Sequence, residues 1–394
     1  MKYITTEKLP IKSWCDNPED GCIEQAKNLA NLPFLYKHVA LMSDCHQGYG
    51  MPIGGVIAAI GVIIPFAVGV DIGCGMCAVK TNLTVSEFSV EKIKAVMGEI
   101  RKAVPVGFNR HEDPCKEEEM PIGWAGTNIP IVSSQYASAR KQLGTLGGGN
   151  HFIEIQKGSN SPFGLVDSIW IMIHSGSRNL GKQVADHYNK IAKELNARWY
   201  TKVDPKADLA FLPFETPEAK AYFAEMNYCL AFSRANRAKM LDAIKGCFNS
   251  IIPTEFAETL DIQHNYAAWE NHFDKNVIIH RKGATMARAG QMGIIPGSQG
   301  TSSYIVEGLG NPDSFMSCSH GAGRRMGRKQ AERTLILEDE VKLMNDKGII
   351  HAIRGKGDLD EAAGAYKDIQ VVMAEQADLV KIVTRLEPMG VIKG

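Results

Sequence analysis

Apolar residues recur along this chain with two periods, and the switch from one to the other marks out its elements. Val39-Ala40-Leu41-Met42 and the Val/Ile-rich run from Val56 to Ile64, interrupted at Gly61, predict strands. Cys77-Ala78-Val79-Lys80-Thr81, Ile169-Trp170-Ile171-Met172-Ile173 and Val277-Ile278-Ile279-His280 predict three more. Between Val90 and Val104 the period lengthens. Ile93, Val96, Met97 and Ile100 recur at helical spacing with Glu and Lys between them, which predicts an amphipathic helix packed on the strands. A second helix is expected from about Gln183 to Ala197. A long third one opens at Thr216-Pro217, a cap followed by a first-turn proline, and is expected to reach about Cys247. Residues 105–142 are punctuated by Pro and Gly and carry Glu117-Glu118-Glu119, so they read as a solvated surface loop. Asp204 to Phe214 also reads as loop, and Val380 to Gly394 as a mixed segment. Strands and helices interleave without a regular βαβ period. That predicts one compact α+β domain over residues 1–394, mixed sheets at its core and helices around them.

Composition changes this picture little. Hydrophobic residues make up 44% and charged residues 22%, an ordinary balance for a soluble protein. No run reaches the roughly 18 apolar residues that span a bilayer. The first residues, Met1 to Lys8, lack the apolar stretch of a secretory leader, so a cytoplasmic location without a membrane partner is expected. A formal net charge of zero excludes a whole-protein basic field. It leaves local patches for RNA, with Arg324, Arg325, Arg328 and Lys329 as one candidate and Arg281, Lys282 and Arg288 as another. The nine Cys have no disulfide-framework spacing and read as buried thiols or ligands. Cys15, Cys22, Cys115, Cys229 and Cys247 read as structural.

Candidate chemistry gathers where apolar segments end. Gly69-Val70-Asp71-Ile72-Gly73-Cys74-Gly75-Met76 holds a carboxylate and a thiol three residues apart in glycine-rich backbone. A turn around a buried thiol accounts for it equally well when it is taken alone. Gly144 to Ile155 brings His151 to a strand start, with Asn150, Phe152 and Glu154 expected on one strand face. His174 ends an apolar strand ahead of Ser175-Gly176-Ser177-Arg178, and His264 sits in Asp261 to Tyr266. Five donors, Asp71, Cys74, His151, His174 and His264, exceed one tetrahedral site, and a thiolate can bridge. Two ions are therefore expected, one on Asp71, Cys74 and His151, the other on Cys74, His174 and His264. Donor softness favours Zn²⁺, while availability and open coordination favour Mn²⁺, and the choice stays open. Asp44 and His46 form a further polar cluster that a turn explains as readily. Pro296 to Ser303 is a Gly/Ser loop rich in donors. Ser319-His320-Gly321 is followed by Arg324, Arg325, Arg328 and Lys329, the densest signal in the chain. A helix to about Asn345 is expected to begin there, its N-terminus adding partial positive charge for an anion.

Seven motifs together resemble the RtcB family of RNA-splicing and RNA-repair ligases. They are Asp44-Cys45-His46-Gln47-Gly48, Gly69 to Met76, Gly144 to Phe152, His174 to Arg178, His264-Asn265-Tyr266, Pro296-Gly297-Ser298 and Ser319 to Arg324. They occur in family order over nearly the whole chain. Ser43 stands where the family usually has Pro, and the chain is short for the family. The resemblance implies a 3′-phosphate/5′-hydroxyl RNA ligase that uses GTP and two Mn²⁺ ions held by the five donors above. It implies that His320 is the nucleophile that carries GMP. It implies a GMP pocket of Asn150, His151, Phe152, Ile153, Glu154, His264, Asn265, Pro296, Gly297, Ser298, Gln299, Ser303, His320, Gly321, Ala322, Gly323 and Lys393, with Glu154 reading the guanine edge and Arg324 holding phosphate. The partners implied are RNA ends bearing a 3′-phosphate or 2′,3′-cyclic phosphate and a 5′-hydroxyl, with a helper protein left open. A two-metal phosphoesterase or nuclease, or a non-catalytic RNA-end binder, are the rival readings.

Overall fold

The protein is described by a computed structural model covering residues 1–122, 129–159 and 167–394. Two sheets carry it. The first has the spatial order Lys2–Ile4, Ile11–Ser13, Leu35–His46, Ile53–Ala59, Lys275–Lys282, Asn265–His272. The second has the order Leu260–Gln263, Gly75–Thr84, Asp167–Ser175, Phe152–Ser159, Val380–Lys393, Ser303–Gly308, Met292–Ile295. The only parallel pair among the described strands joins Ile11–Ser13 to Leu35–His46. Leu260–Gln263 closes an edge of the second sheet and Asn265–His272 belongs to the first, so His264 lies where the chain crosses between sheets.

The alternation of strand side chains splits the second sheet into a structural and a chemical face. Ile153, Ile155, Ile169, Ile171 and Ile173 face one way and bury Ile93, Val96, Met97, Ile100, Ile244 and Phe248 of two helices. Each such side chain contributes about 1.5–3 kcal/mol on leaving water. Met76, Phe152 and Met172 form a separate cluster on the other face. A third cluster joins Ala58, Val277 and Ile279 of the first sheet to Ile295, Tyr304 and Val306 of the second, fixing the sheets against each other.

The helix at Val90–Ala103 is capped by Ser89, whose hydroxyl accepts from Lys92 N at 3.4 Å. The long helix Pro217–Ile251 begins as expected, with Thr216 Oγ1 accepting from Ala219 N at 3.2 Å, and it runs a further turn past Cys247. The middle helix, Asn179–Arg198, starts a turn earlier than its pattern indicates.

Three expectations are corrected. The excursion 105–142 is not all loop: Pro130–Gln142 is a helix that buries Val132 and Ala139 in the core. Residues 123–128 of that excursion lie outside the described residues. The mixed C-terminal segment is a 14-residue strand inside the second sheet. Its register shifts between Pro388 and Gly390, and that bulge hides the alternation a strand should show. Finally, no helix begins at His320. It follows the strand Ser317–Ser319 in a turn, and the helices there are Arg328–Thr334 and Leu337–Asp346. The helix-end charge expected beside His320 is therefore not what serves it. No described helix is long and apolar enough to cross a membrane.

Candidate active site

Local backbone brings four separate segments to one point. Cys74 leaves the turn before Gly75–Thr84, where Gly73 has φ 79°, a left-handed conformation that glycine adopts without strain. A Cβ on Gly75 would stand 2.2 Å from Ile262 O, so the strand can pass its neighbour only as glycine. His174 pairs across the ladder with Met76 and with Phe152. His151 immediately precedes Phe152–Ser159, and the N–H of His264 donates to Cys74 O at 3.0 Å.

The donor atoms form two triads sharing Cys74: Asp71, Cys74 and His151, and Cys74, His174 and His264. In each the ligand atoms lie within 4.8 Å of one another. Cys74 Sγ is 3.1 Å from His174 Nε2 and 3.6 Å from His151 Nε2, and His151 Nε2 is 3.6 Å from Asp71 Oδ2. His151 Nδ1 donates to Leu146 O at 2.8 Å, and His174 Nδ1 to Asn150 O at 3.0 Å. Those bonds put the ring protons on Nδ1 and leave both Nε2 lone pairs aimed at the sulfur, the arrangement that metal-binding histidines adopt. His174 Nε2 and His264 Nε2 are only 3.4 Å apart. Burial, reinforced by neighbouring histidines, holds His174 and His264 well below the usual imidazole range, so they are neutral. Burial, then the Asp71 charge, pushes the Cys74 thiol up. Neutral imidazoles converging on a sulfur that needs a cation to lose its proton fit divalent metal ions.

The support comes from two mid-helix residues that the sequence pattern did not single out. Asn236 Oδ1 accepts from Gly144 N (2.7 Å) and Thr145 N (3.1 Å), and its Nδ2 donates to Gly176 O at 3.2 Å. Arg237, fully buried, donates to Asp261 through Nε and Nη2 at 2.7 Å each and to Ser175 O at 3.0 Å. These two side chains tie together the turns that carry His151 and His174 and the strand leading to His264. The one signal in sequence was that Asn236 and Arg237 fall on the apolar face of the helix, in line with Phe232, Met240 and Leu241.

Asp44 is the second residue whose role sequence left open. It is fully buried on Leu35–His46. Its Oδ2 accepts from His320 Nδ1 (2.6 Å), His320 N (3.1 Å) and Gly321 N (3.3 Å). The proton of His320 is thereby held on Nδ1 and the Nε2 lone pair is free. A Cβ on Gly323 would stand 2.1 Å from Asp44 O, so the turn can close on this strand only with glycine. The His320 and His264 ring centroids lie 4.9 Å apart, so His320 stands next to the triad that contains His264.

A cavity of about 1000 Å³ opens over these groups. Of the expected nucleotide-site residues, Asn150, Phe152, His264, Asn265, Pro296 to Gln299, His320 to Gly323 and Lys393 line it. Asn265 is occupied structurally: Nδ2 donates to Asp71 O at 3.0 Å, and Oδ1 accepts from Gly283 N at 2.8 Å. His151, Glu154 and Ser303 are buried behind the wall, and Ile153 packs in the core on the helix side of the sheet. Glu154 and Ser303 are joined through Gln156, whose Nε2 donates to both (2.6 and 3.2 Å), and Ser303 Oγ accepts from Gly297 N at 3.1 Å.

Burial raises the Glu154 carboxyl to about 8 from its ordinary 4.5, with Gln156 and Lys393 opposing. A carboxyl raised on folding is protonated in the folded state and ionised in the unfolded chain between those two values, so it erodes stability as pH rises through that window. Denaturant melts should show Glu154→Gln gaining stability relative to the native protein from pH 5 to pH 8.5. The gain should reach a few kcal/mol at the top of that range, since each tenfold change in proton affinity is worth ~1.4 kcal/mol. A pH-independent difference would mean that Glu154 is charged throughout.

The second basic patch does not exist as expected. Arg281 is fully buried and bonds to buried Glu270. Lys282 is buried to the point that its ammonium falls to about 7, and its Nζ donates to Tyr49 O and to Phe66 O (3.2 Å). Both are internal because Lys275–Lys282 is a central strand, and Arg288 alone of the three is exposed. In the other patch, Arg324 (3.0 Å) and Arg328 (3.1 Å) both bond Glu361 at the cavity wall, so they enter it as a paired cluster.

A family profile described as tRNA-splicing ligase RtcB matches residues 25–122 and 123–394. RNA-splicing ligase RtcB of Escherichia coli (strain K12) is 38% identical, with all of both chains covered. The tRNA-splicing ligase RtcB of Thermococcus kodakarensis is 35% identical over all of this chain and 96% of its own. RNA-splicing ligase RtcB of Mycobacterium tuberculosis is 33% identical over 94% of this chain and all of its own.

Proposed function

Because the chain belongs to the RtcB family, we propose that it is an RNA ligase joining 2′,3′-cyclic-phosphate or 3′-phosphate ends to 5′-hydroxyl ends, with GTP as the energy source and two Mn²⁺ ions as cofactors. The observation that carries this reading is His320, its Nδ1 held by Asp44 and its ring 4.9 Å from that of His264, a member of one of the two candidate metal triads. Asp71, Cys74 and His151 would hold one ion, and Cys74, His174 and His264 the other. Bound there, the ions supply positive charge for phosphoryl oxygens.

His320 Nε2 attacks the α-phosphorus of GTP. An N–P bond forms, the α–β bridging P–O bond breaks, and pyrophosphate leaves. Asp44 steadies the ring as it becomes positively charged, the role a buried carboxylate plays beside a reacting imidazole. An oxygen of the RNA 3′-phosphate then takes the GMP, breaking the N–P bond and restoring the ring. Where the end is a 2′,3′-cyclic phosphate, water first opens it to the 3′-phosphate. The 5′-hydroxyl of the second strand attacks that activated phosphate and expels GMP. Splitting the exchange this way turns one difficult displacement into easier ones. The guanine end of the pocket would fall to Lys393 on the cavity wall, with Glu154 and Ser303 buried behind it. Nine unpaired thiols fit a reducing cytoplasmic setting.

The test is to incubate two RNA strands, one ending in a 2′,3′-cyclic phosphate and one starting with a 5′-hydroxyl, with the protein, GTP and Mn²⁺. Joined RNA that depends on GTP is expected. Strands only opened or trimmed would indicate a phosphoesterase, and binding without turnover an RNA-end binder.

A further inference from the structure

The backbone just before His320 is gripped by a side chain that lies outside the cavity. Gln376 is fully buried, its Nε2 3.5 Å from the sulfur of Met373, which belongs to the apolar cluster between the sheets. Both ends of its amide meet one residue. Oε1 accepts from Ser319 N at 3.0 Å, and Nε2 donates to Ser319 Oγ at 2.5 Å. A primary amide is costly to bury, and its bonds are strong where water is excluded. The strand Ser317–Ser319 pairs with one neighbour among the described residues, Ala284–Met286, and the Gln376 amide takes the place of a second.

The same short element grips the turn again beyond His320. Gln376 directly follows the helix Ile369–Glu375, and Lys367 stands just before it. Lys367 N donates to Gly323 O at 2.9 Å, and its ammonium donates to Cys45 O at 2.5 Å, next to Asp44. One brace thus holds the His320 turn at Ser319 and at Gly323, and the Asp44 strand at Cys45. Across the ladder, Ser319 pairs with Ala284, whose N–H donates to His264 O at 3.2 Å. Between these fixed points Asp44 Oδ2 accepts from His320 Nδ1 at 2.6 Å and from His320 N at 3.1 Å. Both bonds end on one oxygen, so a slide of Ser319 along its strand misaligns both together.

We propose that Gln376 is a positioning residue for the nucleophile, which clamps Ser319 and so keeps the His320 ring on Asp44. The kinetic consequence rests on the ligase reading, and the spectroscopic one does not. In single-turnover guanylylation, Gln376→Ala is expected to slow adduct formation about 10²-fold, the scale for a reacting group misplaced by ~1 Å. The Kd for GTP, the Mn²⁺ content and the final extent of labelling should match the native protein. A variant that is merely less stable would instead reach a lower end point at the native rate. Gln376→Glu, whose carboxyl can take the same two bonds, restores the rate. Ser319→Ala, too small a change to threaten the fold, slows the reaction less, and it adds nothing further in the Gln376→Ala background. In metal-free protein, nitrogen-15 NMR should show the His320 Nδ1 proton downfield and slow to exchange in the native protein and Gln376→Glu, and shifted upfield and faster to exchange in Gln376→Ala. The proposal is overturned if Gln376→Ala reacts at the native rate or leaves that signal unchanged. Should Gln376→Ala not fold, a native rate or an unshifted signal in Ser319→Ala overturns it equally. If the NMR contrast appears while the native protein forms no adduct, the ligase reading fails and the positioning role stands.

Discussion

Replacing Cys74 with alanine is expected to strip both metal ions at once and to abolish any GMP adduct. Cys74 is the one donor common to both triads, and its sulfur lies 3.1 Å and 3.6 Å from a histidine nitrogen of each. Losing even a group that merely orients a ligand costs about 10–100-fold in metal affinity, and removing the shared donor should cost each site more than that. The fold should survive, because alanine is nearly as small and the site is framed by Asn236 and Arg237 rather than by the thiol. Metal content after dialysis against Mn²⁺, measured by mass spectrometry, checks this. Two equivalents are expected in the native protein, about one in His151→Ala, and none in Cys74→Ala. Two equivalents retained in Cys74→Ala would mean that the sulfur bridges nothing.

Asp44→Asn is expected to leave metal content unchanged while slowing His320 guanylylation by about 10⁴-fold, the scale seen when the carboxylate orienting a catalytic imidazole becomes an amide. Asp44 Oδ2 accepts three N–H groups from His320 and Gly321. An amide can offer its own N–H to His320 Nδ1, which moves the ring proton to Nε2 and removes the lone pair needed for attack. It also removes the negative charge that faces the ring once His320 becomes positive. The measurement is the single-turnover rate of adduct formation beside a metal analysis of the same sample. An unchanged rate would show that Asp44 only packs.

Much of this was legible in sequence because local rules govern it. The helix at Val90–Ala103 follows from its apolar spacing, and the start of Pro217–Ile251 from Thr216 and Pro217. The five candidate donors, which the fold brings together, stand at the ends of apolar segments in the sequence. What stayed hidden depends on distant partners. Arg281 has the look of a surface cation, and only the fold supplies Glu270 beside it. Asn236 and Arg237 read as breaks in a helix face until the turns they hold are brought to them. Asp44 gains its meaning from a residue 276 positions away. The C-terminal strand was missed because Pro388 and Gly390 sit at its bulge, where alternation is lost. Lys393, which would ordinarily be solvated so near a chain end, is instead carried by that strand to the cavity wall.

The most direct test of the central claim is incubation of the native protein with α-labelled GTP and Mn²⁺, followed by isolation of the protein. The predicted result is a covalent GMP adduct that is labile to acid and stable to alkali, absent from His320→Ala. An adduct that persists in His320→Ala, or no adduct with any divalent metal, would contradict it.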